Sequence, residues 1–177
     1  MSYREILDRV DAVLAGAEVG DVRRLIDALD GAPRIFVSGA GRSALAARFF
    51  AMRLMHCGYT VFVVGEIVTP SVDADDLLLV LSGSGATETL LPIARKARAA
   101  GARVALLTSK PASPLAELAH ELVALGADGS AQPGPGLPMG TVFELSALVF
   151  FESVIYELVT AKGLCEEALR ARHANLE

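Results

Sequence analysis

The feature that most constrains this chain is a set of short, unbroken apolar runs: Ile35-Phe36-Val37, Leu77 to Leu81 and Val104 to Leu107. A strand with no polar alternation has no face to offer water, so such runs belong to parallel strands covered on both sides. Parallel neighbours in turn need a crossover between them, and the intervening segments supply it. Ile35–Val37 leads into the loop Ser38-Gly39-Ala40-Gly41, after which Leu45, Phe49 and Met52 form a helical stripe closed by Gly58. The pattern continues with a strand over Thr60 to Val64, a strand over Leu77 to Leu81, a helix over Glu88 to Ala99 and a strand over Val104 to Leu107. A short helix over Leu115 to Ala119 and a fifth strand over Leu122 to Leu125 complete it. This alternation predicts an α/β fold, a doubly wound five-stranded parallel sheet flanked by helices in the flavodoxin-like order 2-1-3-4-5. Its ligand crevice falls beyond the carboxyl ends of strands 1 and 3.

The rest of the chain frames that core. Ile6, Leu7, Val10, Val13 and Leu14, then Val22, Leu25, Ile26 and Leu29, predict two amphipathic helices in the first 30 residues. Gly126 to Pro138 reads as a long Gly/Pro-rich loop serving a site or a subunit contact. Thr141 to Ala161 reads as a helix apolar on nearly every side, which needs cover from a core or from another subunit. A polar final helix follows Gly163. The 177 residues suit a single domain over 1–177, with N-terminal helices over 1–30, the α/β core over 34–125 and C-terminal helices over 140–177. With 53% hydrophobic and only 21% charged residues, the chain has little polar surface to cover itself, which points to oligomerisation. A net charge of −5 offers no basic footprint for nucleic acid. No apolar run approaches the roughly 20 residues of a membrane span, and the charged N-terminus is unlike a signal peptide, so a cytoplasmic location is expected. Cys57 and Cys165 have no metal-ligand or redox spacing and are given no role.

The two loops at the expected crevice carry the chemistry. One is Ser38-Gly39-Ala40-Gly41-Arg42-Ser43, the other Ser82-Gly83-Ser84-Gly85-Ala86-Thr87-Glu88-Thr89. Glycines let the backbone approach an anion, hydroxyls donate to its oxygens, and the following helix start adds free N–H groups and a positive dipole end. Together these make a phosphate cradle without lysine or metal. Helix capping would explain one hydroxyl, whereas the second loop supplies Ser82, Ser84, Thr87 and Thr89. The first loop also fits a dinucleotide fingerprint, Gly39-x-Gly41-x-x-Ala44, with Glu66 placed to take a ribose. A dinucleotide has no use for a second hydroxyl-rich loop across the switch point; a small phosphosugar needs contacts at both ends.

These paired loops resemble the sugar isomerase (SIS) domain family. Longer stretches are similar to the branch that interconverts a 3-hexulose 6-phosphate and fructose 6-phosphate in formaldehyde fixation by the ribulose monophosphate route. They include Ser38 to Ser43, Phe50 to His56, Val64-Gly65-Glu66, Leu81 to Gly85, Thr108-Ser109-Lys110-Pro111, Met139 to Glu144 and Arg172 to Glu177. The resemblance implies a cofactor-free, metal-free isomerase, usually a homotetramer, with a sugar phosphate held by Ser38, Gly39, Gly41, Arg42, Ser43, Ser82, Ser84 and Thr87, and Glu66 at the rim. The alternatives are a non-catalytic sugar-phosphate-binding module of the kind found in regulators, or another aldose–ketose phosphate isomerase. A regulator of that kind would be expected to carry an attached DNA-binding or kinase-contacting segment, and none is visible in the sequence.

Moving a carbonyl between C3 and C2 through an enediol needs one well-placed base. Glu144 opens the long apolar helix and has two readings: that base, or the third position of a capping box, Thr141-x-x-Glu144. The resemblance places a catalytic glutamate near this helix start. His173 alone reads as part of a solvated tail; the resemblance makes it a catalytic candidate delivered by a neighbouring chain. Glu66 is a further carboxylate candidate. His56, in the last turn of a helix, and His120, with no motif around it, read as structural. Arg42 and Arg53 are placed to neutralise the phosphate or a catalytic carboxylate, with a salt bridge the plain reading of Arg53.

Overall fold

A computed structural model describes residues 2–17, 19–132, 137 and 139–176; the tip of the Gly/Pro-rich loop, 133–136 and 138, lies outside the described residues, as does Glu177. The chain runs α1 (Tyr3–Leu14), α2 (Val19–Asp30), β1 (Ile35–Gly39), α3 (Arg42–His56), β2 (Val61–Val63), β3 (Leu77–Leu81), α4 (Leu90–Ala99), β4 (Arg103–Thr108), a 3-10 turn (Ala116–Leu118), β5 (Glu121–Ala124), α5 (Thr141–Ala161) and α6 (Glu166–Arg170). The five strands form one sheet in the order β2-β1-β3-β4-β5, and every pairing is parallel. This is the predicted doubly wound arrangement. The central strand β3 is buried along its whole length, as the unbroken Leu/Val run requires.

Two apolar layers cover the sheet. On one face Val10, Val13, Leu25 and Leu29 of α1 and α2, Phe50 and Leu54 of α3, and Phe151, Val154 and Leu158 of α5 share a core with Ile35, Val37, Leu77 and Leu79. Phe50 stacks on Phe151 with ring centroids 4.1 Å apart, which ties α3 to α5. On the other face Leu90, Ala94 and Ala97 of α4 and Leu115 meet Phe36, Leu78, Val80 and Leu106. At the amino ends of the strands, Arg34 grips the buried Asp76 with two hydrogen bonds, of 2.9 and 2.6 Å.

The differences from the sequence reading lie at element ends. β2 is only Val61–Val63, β5 starts one residue earlier than expected at Glu121, and the short helix narrows to a 3-10 turn. The start of α4 moves from Glu88 to Leu90, because Leu90 and Leu91 both bond back to the Thr87 carbonyl and the residues before them stay in the loop. Among the described residues no helix is long and apolar enough to cross a membrane.

Candidate active site

β1 and β3 are neighbours, with Ser38 beside Val80 and Gly39 beside Leu81. The two Gly/Ser loops therefore leave the sheet side by side at its carboxyl edge. Gly39 is required by packing, since a Cβ there would lie 2.8 Å from the Ala44 nitrogen. Gly41 caps α3 at φ +57°, a left-handed backbone that suits glycine. The serine loop turns at Gly85, φ +62°, where a Cβ would fall 2.1 Å from Ser113 Oγ. Ser38, Ser43 and Ser82 are buried, Thr87 is half-buried, and Ser84 is exposed.

The hydroxyls of the serine loop engage one another. Ser82 Oγ lies 3.0 Å and Ser84 Oγ 3.4 Å from Thr87 Oγ1, and the Ala86 N–H donates to Ser84 Oγ at 3.3 Å. The cap of α4 is Thr89, which makes no side-chain cap hydrogen bond. The hydroxyls are thus not spent on capping, and they stand beside the positive dipole end of α4.

The third wall is the start of α5. Gly83 faces the Phe143 ring, where a Cβ would meet Cδ1 at 3.0 Å, so the first turn of α5 lies against the serine loop. Glu144, its side chain only 17% exposed, pairs through Oε2 with Arg42 Nε at 2.7 Å. Burial pushes the Glu144 carboxyl above the ordinary glutamate value, and the Arg42 guanidinium pulls against that rise. The capping-box alternative does not form: α5 is capped by Gly140 with no side-chain cap bond, Thr141 is already the first helical residue, and the carboxylate turns to Arg42. Gly140 leaves it room, since a Cβ there would lie 3.1 Å from Glu144 Oε1. Beyond the pair, a groove of about 400 Å³ runs between α3 and α5, lined by Leu45, Phe49, Leu145 and Leu148.

The remaining predicted residues lie elsewhere. Glu66 follows β2 at the same edge and pairs with Arg48 of α3 at 2.6 Å, half-exposed. Arg53 pairs with Glu152, joining α3 to α5. His120 accepts the Val104 N–H at Nδ1, 2.9 Å away, and so braces β4 against the chain entering β5. His173 is not brought to the crevice within one chain. It stacks on His56 with centroids 5.2 Å apart, at the carboxyl end of α3, and Arg172 beside it donates to the His56 carbonyl at 3.3 Å. Fourteen helical steps separate that end from Arg42, about 21 Å. Burial, and then the neighbouring His173 and Arg53, lower the pKa of His56. Thr108 and Ser109, at the end of β4, were given no chemistry from sequence alone; their position beside the serine loop follows only from the pairing of β4 with β3.

A parallel sheet of this order, with a hydroxyl loop at the switch point, defines a doubly wound α/β domain with a crevice suited to an anion, and residues 28–150 match the SIS domain model. The chain belongs to the SIS domain family. It is 49% identical to the 3-hexulose-6-phosphate isomerase of Methylomonas aminofaciens over 99% of this chain and 98% of that one. With the 3-hexulose-6-phosphate isomerase of Bacillus subtilis it shares 38% identity over 98% and 96% of the two chains. Among solved structures it superposes, with a TM-score of 0.88, on a Methanococcus jannaschii protein whose structure was taken to infer a 3-hexulose-6-phosphate isomerase. The identity there is 35%, covering 97% of each chain.

Proposed function

We infer that this chain is an isomerase interconverting 3-hexulose 6-phosphate and fructose 6-phosphate. The observation that carries the reading is the juxtaposition of a hydroxyl loop that caps no helix with a largely buried carboxylate, Glu144, that caps none either. We propose that the loop of Ser82, Ser84 and Thr87, at the positive end of α4, holds the phosphate. Ser38, Gly39, Gly41 and Ser43 face the other end of the sugar, and Glu66 stands at the rim. Glu144 removes the proton from C2 and returns it to C3, while a second group moves the hydroxyl proton from O2 to O3. Arg42 holds the carboxylate in place and keeps it ionisable. With the sixth oxygen esterified, a 3-hexulose forms no stable ring, so the forward reaction needs no ring-opening group.

We propose that His173 supplies the second group to the crevice of a neighbouring copy in a homotetramer. Leu45, Phe49, Met52 and Met55 form an exposed apolar stripe along α3, continued by Leu145 and Val149 of α5. Two copies laid antiparallel along this stripe bring the His173 end of each α3 to the Arg42–Glu144 end of the other. An exposed face of this kind calls for cover. A cytoplasmic setting fits such a metabolic enzyme. The test is to supply the purified protein with 3-hexulose 6-phosphate and to measure fructose 6-phosphate. Saturable binding without turnover would replace this reading with the non-catalytic module.

A further inference from the structure

The carbonyl of Gly83, in the middle of the serine loop, is held from one side by three donors. Ser109 Oγ donates to it at 2.8 Å, the Ser109 N–H at 3.2 Å and Thr108 Oγ1 at 3.3 Å. Thr108 and Ser109 are both buried at the end of β4. On its other side Gly83 is closed in by the Phe143 ring. The peptide joining Gly83 to Ser84 is trans, so its C=O and N–H point in opposite directions within one plane. Turning the carbonyl toward β4 turns the Ser84 N–H away from β4. The next two N–H groups are consumed inside the loop, Gly85 by the Ser82 carbonyl at 3.1 Å and Ala86 by Ser84 Oγ at 3.3 Å. The Ser84 N–H meets no acceptor among the described residues.

We infer that Ser109 is a positioning residue for the phosphate cradle: by holding the Gly83 carbonyl it aims the Ser84 N–H at the phosphate. The inference rests on reading the serine loop as that cradle. A peptide held less firmly at this point would sample more orientations, and each binding event would first have to order it; the Ser109 hydroxyl, the shortest of the three bonds, lowers that cost before substrate arrives. Its hydroxyl touches no reacting atom, so its effect falls on phosphate affinity and not on proton transfer.

The test is Ser109→Ala, with steady-state kinetics and inhibition by inorganic phosphate as the probe of the cradle alone. The KM for 3-hexulose 6-phosphate and the Ki for phosphate should rise together, by roughly 3–10-fold, because one hydrogen bond to a charged group is weakened in both. The kcat should stay within about twofold, and Ser109→Thr, which keeps the hydroxyl, should restore both constants. Unchanged KM and Ki in a folded Ser109→Ala enzyme overturn the inference, as does a fall in kcat at unchanged KM. Should the alanine variant fail to fold, Ser109→Cys, nearly isosteric with a weak donor, is read by the same criteria. A double Ser84→Ala/Thr87→Ala variant separates the layers. If it too leaves KM and Ki unchanged, the cradle reading falls and the inference with it; if it raises both while Ser109→Ala does not, the role of Ser109 alone is removed.

Discussion

Replacing Glu144 by glutamine separates its chemistry from its contribution to the fold. The carboxylate does not cap α5, so the substitution leaves the helix start intact. It does remove the ion pair with Arg42, whose side chain is 48% exposed, and a pair of that kind contributes about 0.2–1 kcal/mol before screening by salt. Burial acts in the opposite direction. Because it raises the carboxyl's pKa in the folded protein, Glu144 favours folding in its protonated form, and that contribution is lost as the pH rises through the raised value. A side chain that stays neutral escapes this loss, so above that pH the glutamine variant should match or slightly exceed the wild type in stability. The melting temperature should move by no more than about 2–4 °C, the shift that 1 kcal/mol produces in a chain of this size. Loss of a general base costs far more, roughly 10²–10⁴ in kcat, or about 2.7–5.4 kcal/mol of barrier. Activity in the wild type should also fall on the acid side with a midpoint above the ordinary glutamate value, since the base works only when ionised. The assays are kcat, thermal melting, and washout of the C2–C3 proton into deuterated water. A glutamine variant that folds, turns over and exchanges the proton at near wild-type rates refutes the assignment and moves the base to Glu66 or His173.

Gly85→Ala should lower the melting temperature and raise KM at least several-fold, because a side chain at φ +62° is strained by roughly 1–2 kcal/mol and its Cβ displaces Ser113; an unaffected KM would show that the loop's shape does not matter to binding. Co-expressing Glu144→Gln and His173→Ala chains, each inactive alone, should recover activity, because a mixed assembly pairs an intact Glu144 from one chain with an intact His173 from another. No recovery in demonstrably mixed assemblies would remove His173 from the neighbouring site. Leu45→Glu, at the amino-terminal end of the apolar stripe and its most exposed member, should give smaller species in sedimentation and lower activity, whereas a wild-type protein that sediments as a monomer at micromolar concentration contradicts the assembly itself. Exhaustive chelation and desalting should leave activity unchanged; recovery of a lost activity by a metal ion or NAD would show a cofactor at work.

The sheet was legible because Ile35–Val37, Leu77–Leu81 and Val104–Leu107 admit few other burials, and a parallel sheet places its Gly/Ser loops at one edge. What sequence left open depended on contacts distant in the chain. Thr141-x-x-Glu144 has the spacing of a capping box, but the chain enters α5 through Met139 at φ +60°, a backbone that methionine does not advertise. The cap then falls on Gly140, one residue early, and Arg42, about a hundred residues upstream, takes the carboxylate. Thr108 and Ser109 look like the ordinary end of a strand, and their hold on Gly83 exists only once Leu81 and Leu107 are paired. His173 stacks on His56 through a tail whose packing no local periodicity encodes.

The topology also bears on how the proposed phosphate cradle and general base would share one crevice. In a parallel sheet the helix that follows each strand begins at the carboxyl edge, so α3 and α4 bring their amino ends to the loops, and α5 starts beside them against Gly83. Three helix starts thus gather at the proposed cradle, a setting that favours a phosphate and would by itself depress the pKa of any nearby carboxylate. A carboxylate held that low would be a feeble base. At Glu144 burial outweighs the pull of Arg42, and the carboxyl sits above its ordinary value. On the proposed assignment, a bound phosphate would neutralise part of the same field and raise the carboxylate's affinity for a proton further as the substrate's C2 proton comes before it. The proposed site would then couple the two tasks: the charge that the helix starts attract is the charge that sharpens the base.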